Sequence, residues 1–212
     1  MENLADLLRD RTQPLHTQAE RTGIVRDILT GRVDRNGYAL FLRNLLPAYE
    51  ALEAGLSRNC DRRGIDVIAV PEIYRAGTLI SDLNAIAGSS WLRSLPLLPA
   101  GERYARRVDR AADGDTARLI AHAYTRYLGD LNGGQALRRV LARSLDLEPR
   151  MLTFYDFPEI DDLKSFTADY RDAIDRAGTS AADASTVIEE AAAAFQYNID
   201  VSIAVKAAAA RQ

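Results

Sequence analysis

The chain contains two histidines, and the first has neighbours suited to metal chemistry. His16 is followed four residues later by Glu20. Thr12 precedes it by four residues and Arg9 by seven, so these side chains share one face of a helix. A neutral imidazole can ligate a metal through one nitrogen while its other N–H donates to a carboxylate. Arg9 stands about 10 Å along the axis from His16, which suits a planar metal cofactor with acidic groups at its edge. The alternative is a solvated face on a terminal helix.

A second group of candidates lies in "AHAYTRYLGDLNGGQALRRV", residues 121–140. Apolar residues recur there at helical spacing, yet Gly129, Gly133 and Gly134 interrupt them, and each glycine costs a helix about 1 kcal/mol relative to alanine. Missing Cβ atoms let a helix backbone approach a flat ligand and let the helix bend. The alternative is tight helix–helix packing. Asp130 lies among the glycines, so its carboxylate can serve proton chemistry at whatever approaches that backbone.

Other polar residues have plainer interpretations when they are taken singly. His122 is predicted to be a hydrogen-bonded structural histidine. Arg126 and Asp130 are spaced i, i+4, which alone indicates a weak surface ion pair. Three further residues are typical of core and edge positions: Tyr49, Phe195 and Asn198.

Helical periodicity recurs along the chain, and alternation with period two is nearly absent. The sequence therefore predicts an all-α fold, an irregular helical bundle forming one domain over residues 1–212. The predicted boundaries come from capping and helix-breaking residues. Asn3 caps a helix to about Thr22, and Asp34 precedes a long helix kinked at Pro47. A further helix covers 70–88 and is ended by Gly88. The later boundaries are Asp113 or Asp115 before the glycine-bearing helix, Pro149 and Pro158 around short segments, Pro158 before a helix over 159–178, and Thr179 or Ser180 before the last helix.

Composition narrows the class of partner and the compartment. The net charge is −3 with no basic tract, which argues against nucleic acid. Cys60 is the only cysteine, so no internal disulfide can form and a reducing cytoplasm is the simplest compartment. No apolar run approaches the roughly 20 residues that a membrane span requires, and the charged N-terminus is unlike a signal peptide. We expect a cytoplasmic protein that does not bind membranes.

The 121–140 segment closely resembles the distal-helix signature of haem oxygenases, and "LHTQAE" at residues 15–20 resembles their proximal-histidine segment. Three further segments resemble the family in the same order: "PEIYRAGTLISDLNAIAG", "FYDFPEIDDLKSFTADYRDAI" and "EEAAAAFQYNID". The likeness covers nearly the whole chain. It implies a bundle that holds haem between a proximal helix and a kinked distal helix.

The resemblance implies a role for individual residues. His16 matches the proximal iron ligand and Glu20 its hydrogen-bond partner. Asp130 matches the distal carboxylate that orders a water network, whose other members match Arg126, Tyr49 and Asn198. The remaining matches are haem-binding positions: Gly129, Gly133 and Gly134 over the ring, Thr125 and Phe195 in the pocket, and Tyr124, Arg9 and Arg171 at the propionates.

Three features depart from the family pattern, two of them at single positions. Asn132 stands where relatives commonly have a small residue, and its amide is a candidate for an added distal hydrogen bond. Thr167 replaces a basic residue near the propionates, and Lys164 is a candidate substitute for it. The third is at the C-terminus, where we expect no membrane anchor of the kind that some relatives have.

The implied reaction is the oxidative cleavage of haem b, which is both substrate and cofactor, to biliverdin, CO and iron. It requires O₂ and electrons from a separate donor protein, a ferredoxin or a flavoprotein reductase. The main alternative is a non-enzymatic haem carrier or sensor on the same fold. Two others are a different small-molecule enzyme that uses Cys60 or an acidic pair, and a purely structural bundle in which the glycines serve packing.

Overall fold

The computed structural model describes residues 3–114, 116–178 and 184–211. Those residues contain helices and no β-strand, which confirms the predicted all-α class. The α-helices in chain order are α1 (Leu4–Glu20), α2 (Gly23–Leu29), α3 (Arg35–Arg58), α4 (Ala76–Ala87), α5 (Trp91–Ser94), α6 (Pro99–Asp113), α7 (Thr116–Ala123), α8 (Gly129–Ser144), α9 (Leu163–Gly178) and α10 (Ala184–Ala209).

The first two predicted helix starts are found, but they are capped differently. Asp34 caps α3, since its carboxylate accepts a hydrogen bond from the Gly37 N–H at 2.7 Å. Asn3 precedes α1 without making a side-chain cap. The Ala5 N–H instead donates to the Asp175 carboxylate of α9 at 2.7 Å. A distant residue therefore satisfies this helix terminus.

The glycine-bearing segment is two helices joined by a π-helical turn over Tyr124–Leu128. Periodicity predicted an amphipathic helix here, and the family resemblance implied that it is kinked. The prediction that Asp113 begins this segment is wrong, because Asp113 is the last residue of α6, a helix that the boundary signals did not mark. The other candidate, Asp115, lies outside the described residues, and α7 begins at Thr116.

The other boundaries follow the predictions in part. Residues 71–88 form a 3₁₀ turn (Pro71–Ile73) and then α4, which Gly88 ends with a φ of +75°, a conformation that favours glycine. Helix α3 continues through Pro47. Two 3₁₀ turns, Pro149–Met151 and Thr153–Tyr155, lie between the predicted helix breaks at Pro149 and Pro158. The predicted start at Thr179 or Ser180 lies outside the described residues.

Helix α10 has a central place in the packing of the helices. It packs against α1, α2, α3, α6 and α7. The hydrophobic core draws on residues from Leu4 to Ala208 and on α3 most heavily. The extent of one domain over 1–212 stays a prediction. Within the described ranges, no helix is both long enough and apolar enough to cross a bilayer.

Candidate functional site

A cavity of about 540 Å³ lies among α1, the π-helical turn, α8 and α10. Its volume falls in the range of ordinary small-molecule sites. The structure brings every predicted site residue except Tyr49 into its lining, and Tyr49 lies directly behind the lining residue Asp130. The lining residues among the predictions are Arg9, His16, Glu20, Tyr124, Thr125, Arg126, Gly129, Asp130, Gly133, Gly134, Arg171, Phe195 and Asn198.

Helix α1 supplies an imidazole to this cavity. About half of the His16 side chain is exposed, and its Nδ1 lies 3.7 Å from a carboxylate oxygen of Glu20. The Phe195 ring of α10 meets the imidazole edge-on, with 6.0 Å between ring centroids. Because Nδ1 faces the carboxylate, Nε2 is the nitrogen left for a metal.

Two of the three glycines present bare backbone to open space. A Cβ atom built on Gly129 or Gly133 would meet no atom within 4 Å. These two glycines therefore do not serve helix packing. Gly134 differs, since its Cβ would lie 3.3 Å from the Tyr155 ring. Gly134 lines the cavity as well, but it also packs closely against Tyr155.

A buried hydrogen-bond network stands behind the glycine backbone. The Tyr49 hydroxyl of α3 donates to Asp130 at 2.5 Å. The same hydroxyl accepts from Arg126 Nε at 2.9 Å and Nη2 at 2.5 Å. Arg126 also donates to the Asn198 amide oxygen of α10 and lies 3.6 Å from Asp130. Asn198 in turn donates to the Ala194 carbonyl at 2.8 Å, which fixes its orientation.

This arrangement overturns the sequence-based interpretation of Arg126 and Asp130 as a surface ion pair. Their side chains are only 14% and 10% exposed. Spacing along a helix fixes which side chains can meet, but it does not reveal what packs over them. Here the cover includes the phenol of Tyr49, over whose ring the Arg126 guanidinium carbon lies at 4.7 Å.

Burial determines the ionisation of the network. Desolvation raises the pKa of Asp130, although Arg126 and the hydrogen bond from Tyr49 oppose that shift. Desolvation also raises the pKa of Tyr49, so its phenol stays protonated and remains a donor. Burial alone would lower the pKa of Arg126, but Tyr49 and Asp130 outweigh it and the pKa is raised. Asp130 is therefore the member of this network whose pKa is shifted toward holding a proton, while Tyr49 stays a donor and Arg126 stays charged.

Cations and a phenol line another part of the cavity. Arg9, Tyr124 and Arg171 come from α1, the π-helical turn and α9. Arg9 is exposed and pairs with Asp6 at 3.0 Å. The buried Thr125 hydroxyl donates to the Ala121 carbonyl at 2.9 Å, so that group is already used. The described contacts of Arg171 include no ion pair, which leaves its charge available to an acidic ligand.

A shallow groove between α8 and α9 adjoins the cavity and contains the two departing residues and the candidate substitute for the missing basic residue. Asn132, Lys164 and Thr167 all line it. The Asn132 amide donates to the Leu128 carbonyl at 2.7 Å, at the end of the π-helical turn. One N–H of this amide is therefore used within the helix, and the hydrogen bond to a ligand stays a prediction. The Thr167 hydroxyl is likewise used within α9, where it donates to the Leu163 carbonyl at 2.6 Å.

His122 takes the structural role predicted for it. The ring is fully buried, and its Nε2 lies 3.0 Å from the Glu190 carboxylate. Burial lowers the pKa of His122. Burial alone would raise the pKa of Glu190, but the hydrogen bonds from His122 and Arg107 lower it to about 2. This cluster lies outside the cavity lining and ties α6 and α7 to α10.

Sequence reasoning missed two sets of residues around the site. The first is the apolar lining, of which Ile28, Phe41, Leu45 and Phe154 are examples. The second comprises buried charged residues that join the elements around the cavity to one another: Arg75, Asp82 and Glu190. Helical periodicity marks the apolar residues as buried without saying that they face a cavity. The second set could have been recognised from charged residues that stand where the helical pattern of apolar residues predicts a buried side chain.

Comparisons with known proteins agree with this geometry. A family model described as "Heme oxygenase" matches residues 2–204. The chain is 36% identical over 197 residues to heme oxygenase 1 of Synechocystis sp., a match that covers 93% of this chain and 82% of that protein. It is also 36% identical over 203 residues to human heme oxygenase 1, covering 94% of this chain and 70% of the human protein.

Solved structures show the same fold. The crystal structure of heme oxygenase-1 from Synechocystis sp. in complex with heme superposes with a TM-score of 0.91 at 33% identity, covering 99% of this chain and 95% of that one. The heme oxygenase of Leptospira interrogans gives a TM-score of 0.88 at 32% identity, covering 95% of this chain and 99% of that one. The fold and the matching length leave one conclusion: this chain belongs to the haem oxygenase family.

Proposed function

We propose that the protein binds haem b as its substrate and cleaves it to biliverdin, CO and ferrous iron, using O₂ and electrons from a separate donor protein. One observation carries this proposal. A single cavity receives a half-exposed imidazole, a helix face that carries the glycines Gly129 and Gly133, and a buried carboxylate held by a phenol.

The residues present fit a flat, iron-bearing, acidic molecule. Open space over Gly129 and Gly133 lets a planar ring approach the backbone closely. His16 offers a nitrogen ligand within the same cavity. Arg9 and Arg171 supply positive charge for carboxylates at the edge of the ring.

Each side of the cavity has its own task. His16 would hold the iron through Nε2, and Glu20 favours the tautomer with the proton on Nδ1. When haem is bound, it supplies both the iron that activates O₂ and the ring carbon that is oxidised. The main chain at Gly129 and Gly133 would lie close to the bound ring. It would therefore leave little room for a bulky group between the ring and the helix.

Asp130 performs the proton chemistry. One of its oxygens accepts from the Tyr49 hydroxyl, and the other lies 3.6 Å from Arg126. This fixes the carboxyl group in one orientation beside the ligand space. Its raised pKa favours holding a proton and passing it to a water or an oxygen atom in the cavity. The polar network thus favours turnover over simple haem carriage.

The cytoplasm and the class of electron donor are part of this proposal. Cys60 is exposed as a free thiol, in keeping with a reducing compartment. A ferredoxin or a flavoprotein reductase would supply the electrons. No nucleic acid or membrane partner is proposed, because the chain is net acidic, at −3.

The test is a hemin titration followed by reduction in air. The parent protein should bind hemin, and ascorbate or a ferredoxin system should then remove the Soret band and produce biliverdin absorbance in the near red. His16→Ala should lose the ligand-field spectrum of the parent complex and weaken hemin affinity, whereas the control Gln18→Ala, exposed on the same helix, should not. Stable hemin binding without bilin formation would indicate a carrier instead.

A further inference from the structure

The segment 153–157 supports the distal wall from behind. The Phe154 ring packs edge-on against the Tyr49 ring with centroids 5.6 Å apart. Tyr155 lies against Gly134, and its carbonyl accepts from Gln135 of α8 at 2.7 Å. The segment therefore contacts both α3, which carries Tyr49, and α8, which carries Asp130.

A buried carboxylate holds the start of this segment. The Asp82 side chain of α4 is fully buried. It accepts three hydrogen bonds, from the Thr153 N–H at 2.8 Å, the Thr153 hydroxyl at 2.6 Å and the Phe154 N–H at 2.9 Å. A buried carboxylate is costly unless it is hydrogen-bonded in this way, so the position of Phe154 is tightly fixed.

A buried guanidinium holds the end of the segment. Arg75 donates to the carbonyls of Glu72 and Ile73 at 3.1 Å each and to that of Asp156. Its guanidinium carbon lies 4.2 Å from the Phe157 ring centroid. The side chain therefore joins the residues just before α4 to the 153–157 segment.

Two further contacts complete a closed circuit of interactions that includes the Tyr49–Asp130 pair. Glu53, one turn after Tyr49 on α3, accepts from the N–H groups of Arg75 and Ala76, the latter at 2.9 Å. The Asp156 carboxylate accepts a hydrogen bond from Arg138 Nη2 of α8 at 3.0 Å, and its other oxygen forms an ion pair with Arg138 Nη1 at 2.6 Å. Connections thus run from α3 through α4 and the segment to α8, and return to α3 through Asp130 and Tyr49.

We propose that the 153–157 segment is a positioning element for proton delivery, and that Arg138 and Asp156 are positioning residues that act through it. Hydrogen bonds depend steeply on distance and angle. A shift of α8 relative to α3 would therefore weaken the bond from Tyr49 to Asp130. The catalytic consequence rests on the proposed function, but the positioning does not.

The Arg138–Asp156 pair offers the cleanest variants, since both side chains are about one third exposed and tolerate substitution better than the buried groups. The variants are Arg138→Met, Asp156→Asn and the double change. Arg138→Lys tests rescue by a retained charge. Arg139→Met is the matched control, because Arg139 is the next residue on α8 and is exposed.

The first readout uses the protein without hemin. A short, buried hydroxyl bond at Tyr49 should give a downfield, slowly exchanging proton resonance, identified by its loss in Tyr49→Phe. Arg138→Met and Asp156→Asn should shift or broaden it, the double change should add nothing, and Arg139→Met should leave it unaltered. An unaltered resonance in both single variants, or no such resonance in the parent, would overturn the proposal.

The second readout uses the hemin complex. The hemin dissociation constant of both single variants should stay close to that of the parent, while the rate of biliverdin formation falls about fivefold, as expected for the loss of roughly 1 kcal/mol of hydrogen bonding. Arg138→Lys should recover most of the rate. Equal rates in all variants would contradict the catalytic part, whereas a parent that never forms biliverdin would refute the proposed function and leave the resonance test decisive for positioning.

Discussion

At the scale of single residues, the site depends on burial that changes what ordinary side chains do. Arg126 and Asp130 would be a weak pair on an exposed helix. Covered by Tyr49 and Asn198, they become part of a fixed hydrogen-bond network. The phenol stays a donor and the guanidinium stays charged, so proton exchange falls to Asp130.

Asp130→Asn removes the exchangeable proton and keeps the size of the side chain. We expect hemin affinity to change less than threefold and biliverdin formation to fall by about 10² or more, the usual contribution of a positioned acid or base. Hemin titration and bilin absorbance measure the two effects separately. Biliverdin production at the parent rate would show that another group delivers the proton.

At the scale of elements, the π-helical turn and the glycines after it decide how the distal wall meets its ligand. The wider turn places Arg126 in the buried network directly before the bare backbone of Gly129 begins. Single-turn π-helical insertions are frequent at functional sites. The glycines cost helix stability, and the space over Gly129 and Gly133 shows that packing does not compensate for this cost.

Gly133→Ala should therefore have opposite effects on stability and binding. The apoprotein should gain about 0.5–1 kcal/mol in free energy of unfolding, because alanine favours a helix over glycine. Hemin affinity should fall, because the new methyl group enters the ligand space. Denaturant unfolding and hemin titration provide the measurements.

Gly77→Ala is the matched control for this change. Gly77 lies in α4 and is also a helical glycine whose Cβ would meet open space, but it does not line the cavity. Its substitution should leave hemin affinity unaltered. If Gly133→Ala bound hemin as tightly as Gly77→Ala, the glycine backbone would not be the ligand-facing surface.

At the scale of the whole molecule, α10 joins the two sides of the cavity. It carries Phe195 against the His16 ring and Asn198 against Arg126. One helical turn before Phe195, it is anchored by Glu190, which pairs with Arg107 of α6 and His122 of α7. The relative position of the proximal and distal walls therefore depends on this anchor.

Glu190→Gln should destabilise the protein in a pH-dependent manner. The folded-state pKa of Glu190 is about 2, against an ordinary value of 4.5. A depressed pKa stabilises the folded state above the unfolded-state pKa, and this contribution is lost as pH falls through the folded-state value. The 2.5-unit difference between those values corresponds to about 3 kcal/mol at neutral pH.

Unfolding free energies of the parent and Glu190→Gln should thus differ most above pH 4.5 and converge toward pH 2. Glu189→Gln, the neighbouring residue on α10, is the control and should follow the parent. A difference that stays constant across this pH range would show that the effect is packing and not charge.

Several features of the fold and site could be read from the chain directly. Helical periodicity predicted the all-α class. The residue type at Asp34 predicted a helix cap, and the structure has that cap. His16 and Glu20 share a face because their spacing requires it. The glycine run with Asp130 indicated a ligand-facing helix before any packing was known. These are properties of the backbone and of residues within one or two turns of each other.

Tertiary structure alone decided the rest, because it depends on which distant residues cover a given side chain. No local pattern places Tyr49 on Asp130, Asn198 on Arg126, or Asp175 at the start of α1. Nor does spacing separate Gly133, which faces open space, from Gly134, which packs on Tyr155. The sequence determined the chemical groups and the helices that carry them, whereas their burial, and with it their proton states, came from contacts between residues far apart along the chain.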